Sequence, residues 1–200
     1  MTRLEDAMAR IDAENAQDPR RDEGEPNELL YGRRMSAWLA RLAPDAGEAL
    51  ALAARAQHLA RWRIPRTQFP DGRAGYRRWR VECARMHARR AGELLAEAGY
   101  DQATIDRVGA LVRKERLADD PEVQTLEDTA CLVFLEHHLA DFAAKHARDK
   151  VVDIVQKTWR KMSPRGRAAA LEVLPRLPAE LGALLAEALR DPAPGVASDE

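Results

Sequence analysis

ARAQHLARW, residues 54–62, is the stretch on which the reading of the fold turns. Helical spacing groups positions three and four apart. His58 then shares a face with Ala54 and Arg55 behind it and with Arg61 and Trp62 ahead of it. Gln57 and His58 interrupt an otherwise apolar run. Two readings stay open for His58: a half-buried histidine bonded to a backbone carbonyl, or a ligand for a metal ion, since neutral imidazole is the commonest metal ligand.

The same period recurs along almost the whole chain, and no run of alternating β-branched residues competes with it. The expectation is an all-α fold. Residues 2–16 read as a first helix, DPRRDEGEP (18–26) as a loop, and 28–42 as a second helix. Asp45 and Glu48 have the spacing of a capping box for a third helix that runs to about Trp62. Pro65 and Pro70 force a loop, and a long fourth helix covers 72–98. A fifth helix spans 104–116. Asp120 caps the sixth, with Pro121 in its first turn, and it extends to about His146. The stretch 150–162 reads as a packing helix, and Ser163-Pro164 opens another, followed by a last helical region over 178–189. One domain over 1–190 is expected, with a disordered polar tail at 191–200.

A formal net charge of -1 argues against bulk electrostatic attraction to nucleic acid, yet the charge is unevenly spread. Residues 55–90 hold eleven arginines against Asp71 and Glu82, a local +9. The opening MTRLEDAMAR lacks the apolar centre of a signal peptide, and no run approaches the roughly 20 apolar residues of a membrane helix. A cytoplasmic protein is expected, with Cys83 and Cys131 as free thiols.

No Gly-rich phosphate loop, Cys-x-x-Cys, His-Glu-x-x-His or Gly-x-Ser-x-Gly is present. The groups left to carry chemistry are dispersed: His58, His87, Glu115, Glu127, Asp128 and the arginines. His87 lies among small residues and arginines, either as a surface histidine with a lowered pKa or beside a partner helix or ion. Asp128 shares a helical face with Cys131, Leu132 and Leu135, where a carboxylate needs a partner. His137, His138 and His146 read as boundary or surface residues. Trp62, Tyr76 and Trp79 interleave with the arginines, so a base could stack there. Most of those arginines read as solvated surface; Arg55 and Arg61 stand apart because they flank His58.

ELLYGRRMSAWL, AARAQHLARWRIPR, GYRRWR, LEDTACLVFLE and DKVVDIVQKTWRKMS resemble the signature blocks of domain-of-unknown-function family 4202. The resemblance runs from about Arg3 to Leu171. More distantly, the order of polar groups resembles the HD-domain metal phosphohydrolases, an all-α superfamily. These carry a first His, a His-Asp pair and a later Asp around a metal. His58 matches the first His, His87 the His of the pair and Asp128 the last Asp, while Ala88 replaces the Asp of the pair. The resemblance implies an HD-like hydrolase of a phosphorylated small molecule or nucleotide. A divalent metal ion (Mn, Fe, Co or Zn) would be held by His58, His87 and Asp128. Glu127 or Glu115 would act as further ligand or general base, and Arg55, Arg61 and Arg66 would orient the phosphate. The competing readings are a non-catalytic module that binds an anion, nucleotide or RNA, and a plain interaction protein.

Overall fold

The computed structural model describes residues 1–190, and the tail expected at 191–200 lies outside them. The described residues are helical almost throughout, as the period requires. The described residues fall into two compact units, 1–126 and 127–190; each is described by itself.

The first unit opens with α1 (Arg3–Asn15), which Thr2 and Glu5 start as a reciprocal capping box. The segment expected as plain loop contains a short hairpin, Arg21–Asp22 against Glu25–Pro26. Its turn residues Glu23 and Gly24 both have positive φ, the geometry that two-residue hairpins favour. Helix α2 (Asn27–Leu42) buries Met35, Trp38, Leu39 and Leu42 along one stripe.

Helix α3 (Glu48–Arg55) differs from expectation at both ends. Its N-cap is Gly47 with no side-chain cap, so Asp45 and Glu48 do not form the capping box. Glu48 instead accepts a hydrogen bond from the Tyr100 hydroxyl. The helix also stops at Arg55 rather than Trp62. The α ladder ends when the Gln57 amide bonds to Ala54 O, three residues back; Ala60 then adopts the left-handed conformation (φ 56°), and a single 3-10 turn follows at Arg61–Arg63. His58 therefore lies in a turn, not on a helical face.

Helix α4 (Gly72–Glu97) begins against the preceding loop so closely that a Cβ at Gly75 would lie 1.8 Å from the Pro70 carbonyl oxygen. It ends at Gly99, whose φ of 81° lets Tyr100 N donate back to Leu95 O. Helix α5 (Gln102–Val112) is capped by Asp101, and α6 (Pro121–Val133) by Asp120, which accepts from the Glu122 and Val123 amides. The core of this unit gathers Ile11, Met35, Leu52, Leu59, Leu95 and Leu111.

The second unit holds the end of α6. The helix expected to continue to His146 widens into a π-helical turn at Phe134–His138 and resumes as α7 (Leu139–Ala144). Helices α8 (Arg148–Lys161), α9 (Pro164–Val173) and α10 (Ala179–Arg190) follow. Ser163 caps α9 through the Gly166 amide, with Pro164 at its first position, as the sequence implies. Val155, Val173 and Leu185 meet around a cavity of about 10 Å³, closed by Trp159, Leu177 and Leu189. That volume is no larger than one water, and an apolar lining gives a water no partners. Among the described residues no helix is long and apolar enough to cross a membrane.

Candidate functional site

The polar centre of the first unit is built by α1, the hairpin segment, the start of α2, the turn after α3, and α4. Helix α1 sets the frame. Asp12 takes the Arg55 guanidinium in two hydrogen bonds of 2.6 Å, and Asn15 Oδ1 accepts from the Ala60 amide at 3.0 Å. Glu14 lies 2.7 Å from Arg63 and 3.0 Å from Arg90. Three polar residues of one helical end thus pin the turn that carries His58, and the Asn15 bond falls on the left-handed residue itself.

Asp18 and Glu28 are buried carboxylates joined by Arg20. The guanidinium donates to Asp18 Oδ2 at 3.0 Å and to Glu28 Oε1 at 2.6 Å, and the Glu28 amide donates to Asp18 Oδ2. The second oxygen of Glu28, Oε2, lies 3.2 Å from His58 Nδ1 and makes no properly aligned hydrogen bond, although it is fully shielded from solvent. The His58 ring stacks on Tyr31 with centroids 3.8 Å apart. Arg61 Nη1 lies 2.6 Å from His58 Nε2 and 3.0 Å from Nδ1, so the guanidinium covers the nitrogen-bearing edge of the ring. Arg61 is itself held over the Trp79 ring at 4.6 Å, and Trp79 is fixed by donating to the Ile64 carbonyl.

His87 projects from α4 with its ring centroid 6.1 Å from that of His58. It is 2% exposed and its Nδ1 donates to Leu59 O at 2.6 Å, leaving Nε2 as an acceptor. Burial lowers the His87 pKa to about 4, against the opposing pull of the Leu59 carbonyl. Burial also pushes His58 well below the ordinary imidazole range, helped by the positive charge of Arg61, Lys114 and Arg80. Both imidazoles are neutral near pH 7.

The structure brings His58, His87 and Arg61 of the expected site residues together in this unit. The others have different surroundings. Arg55 is held by the Asp12 carboxylate and the Ser36 hydroxyl, and Arg66 donates to the carbonyls of Phe69 and Pro70, so Arg55 ties side chains together and Arg66 braces backbone. Glu115 is exposed and pairs with Arg113. In the second unit, Asp128 accepts from the Ser163 amide at 2.8 Å and the Ser163 hydroxyl at 2.5 Å. Gly166 packs so close that a Cβ there would lie 2.5 Å from the Asp128 carboxyl carbon. Glu127 is buried with Lys161 3.8 Å away. His137 lies beside Glu136, and His146 stacks on Phe142, consistent with boundary positions.

Three members of the cluster had no visible role in the sequence: Asp18, Arg20 and Glu28. The only hint was an acidic residue at each end of an arginine-bearing loop, which is equally the mark of a solvated segment. The divalent ion implied by the HD resemblance meets two imidazoles here but no third donor. Glu28 is bonded to Arg20 and a guanidinium covers His58 Nε2. Among the described residues no group of three or more His, Cys, Asp or Glu side chains is placed to hold a metal ion. The residues present do not fit such an ion.

What they form is an imidazole set between a buried carboxylate and a guanidinium, ringed by further cations. No curated protein and no solved structure matches the chain. The family described as a domain of unknown function, DUF4202, matches residues 5–185, and the chain belongs to that family.

Proposed function

We propose that the polar cluster around His58 binds the phosphate of a phosphorylated small molecule or nucleotide and hydrolyses its ester. The observation that carries this reading is the Glu28–His58–Arg61 line: an imidazole with Nδ1 3.2 Å from a buried carboxylate oxygen and Nε2 2.6 Å from a guanidinium nitrogen. An incoming phosphate competes for Arg61, as arginine recognises phosphate by paired hydrogen bonds. Arg61 moves from His58 to the anion, and Nε2 is uncovered as a base. The water oxygen then bonds to phosphorus as the ester P–O bond breaks. The water proton passes to Nε2 and on to the leaving oxygen. Glu28 stabilises the transient imidazolium, and Arg61, with Lys114 and Arg80 nearby, offsets charge on the phosphoryl oxygens.

The order of polar groups shared with the HD-domain phosphohydrolases supports the same class of reaction. No step here runs through a metal ion. The cytoplasm, where Cys83 and Cys131 stay reduced, is the setting assumed.

The test is release of inorganic phosphate from a panel of phosphomonoesters and nucleotides, with and without Mg, Mn or Zn. Wild-type turnover that is lost in His58→Ala supports the reading. If no ester is cleaved and inorganic phosphate leaves the melting temperature unchanged, the reading fails. Stabilisation by phosphate without turnover, retained in His58→Ala, would instead favour a non-catalytic anion-binding module.

A further inference from the structure

The first two turns of α4 present a face that the chemistry at His58 does not use. Arg73, Arg77 and Arg80 recur at intervals of four and three, so they line one side of the helix, and Tyr76 falls between them. Arg73, Arg77 and Arg78 are exposed, and among the described residues none of the three forms an ion pair or hydrogen bond. Further along the same helix Arg85, Arg89 and Arg90 each have a glutamate within salt-bridge range. The unpaired positive charge is therefore confined to one end of α4.

That end runs into the His58 cluster. Arg80 is close enough to His58 to lower its pKa, and Arg61 lies over Trp79, whose ring is 5.6 Å from that of Tyr76. Tyr76 itself is 44% exposed, unusually open for an aromatic side chain. From Arg73 to Arg80 the helix rises about 10 Å. A single phosphate ester uses only the Arg61 end of this track. A ligand that uses all of it needs anions repeated along a chain and a flat group to lie on Tyr76, and that is the description of a nucleic-acid strand.

We propose that the substrate is a single-stranded oligonucleotide, with one phosphate at His58, the flanking phosphates along Arg80, Arg77 and Arg73, and a base on Tyr76. This rests on the hydrolytic reading above for the identity of the reacting end only. The unpaired Arg73 and Arg77 on a protein of net charge -1 favour a polyanion at this face, and the exposed ring favours bases over an acidic peptide or a lipid surface.

The test measures binding of fluorescein-labelled octauridylate to the full chain by anisotropy between 50 and 300 mM salt. Four arginine–phosphate contacts, Arg61 with Arg80, Arg77 and Arg73, give a log–log salt slope of about -2.8. Arg73→Ala with Arg77→Ala makes the slope shallower by about 1.4, and Tyr76→Ala weakens binding roughly tenfold. Both variants keep wild-type turnover of a small phosphate ester. His58→Ala keeps octauridylate binding, so failure of the hydrolytic reading leaves this proposal standing. Cleavage of small esters with no octauridylate binding overturns it and spares the hydrolytic reading. Binding that the arginine and tyrosine variants leave unchanged overturns it, as does equal affinity for vesicles of anionic lipid.

Discussion

Asp128 and Glu28 are both 2% exposed, and each is a carboxylate carried on a helix. Asp128 answers to the second unit's own architecture: the Ser163 amide and hydroxyl donate to it, and Gly166 packs against it more closely than a Cβ would allow. Glu28 is satisfied on one oxygen by Arg20, while the other faces His58 without a properly aligned hydrogen bond. Buried polar groups in native proteins are almost always paired, so an exception marks a place where stability has been given up. The comparison separates a carboxylate that holds a fold from one held ready by a fold, and sequence position alone does not distinguish them.

The largest effect that tests this contrast is on turnover. His58→Ala should lower phosphate-ester hydrolysis by about 10³-fold, the scale of a lost general base. Glu28→Gln should lower it less, about 10-fold to 100-fold, because an amide still orients the ring but no longer stabilises its cation. Equal activity in Glu28→Gln and wild type would remove Glu28 from the chemistry.

Next in size is a pH effect on stability. His87 is neutral when folded, with a pKa near 4, and titrates near 6.5 when unfolded. Between those values the unfolded chain binds the extra proton, so stability rises with pH. The contribution is complete above about pH 6.5 and falls by about 3 kcal/mol by pH 4. Urea titrations across that range should show the slope, and His87→Gln should remove its share while leaving that of His58, which burial also holds below its ordinary range.

Asp128→Ala should cost about 2–3 kcal/mol by stranding the Ser163 amide, and Gly166→Ala about 2 kcal/mol by crowding the same carboxylate. Below its melting temperature Asp128→Ala should hydrolyse esters like wild type; a folded but inactive variant would move Asp128 from architecture to chemistry. The smallest effect contrasts two other acids. Asp120 caps α6, and its replacement by alanine should cost about 1 kcal/mol by thermal melting. Asp45 makes no cap, so the same change there should stay within about 0.5 kcal/mol.

Helical period and local caps made most of the fold legible. Asp101, Asp120 and Ser163 start helices because their partners lie two or three residues away, within one sequence window. The end of α3 was not legible for the opposite reason. HLARW keeps helical spacing, but the segment is drawn into turns, with the Gln57 amide on Ala54 O and the Ala60 amide on Asn15, 45 residues earlier. Asp45-x-x-Glu48 had the right spacing, but Glu48 was drawn to Tyr100. At the site, the two histidines and Arg61 could be singled out because their residue types are chemically distinctive. Glu28 and Asp18 could not, since a carboxylate reveals its role only through partners that arrive from elsewhere in the chain.

The grip of α1 on the turn at Ala60 has a practical consequence for anyone trimming this protein. A chain begun after Ala16 keeps His58, Arg61, Glu28 and His87 but discards the Asn15, Glu14 and Asp12 side chains that shape the segment between them. Such a truncation would carry every reactive group and lack the scaffold that aims them, so silence from that fragment would say nothing about the intact molecule.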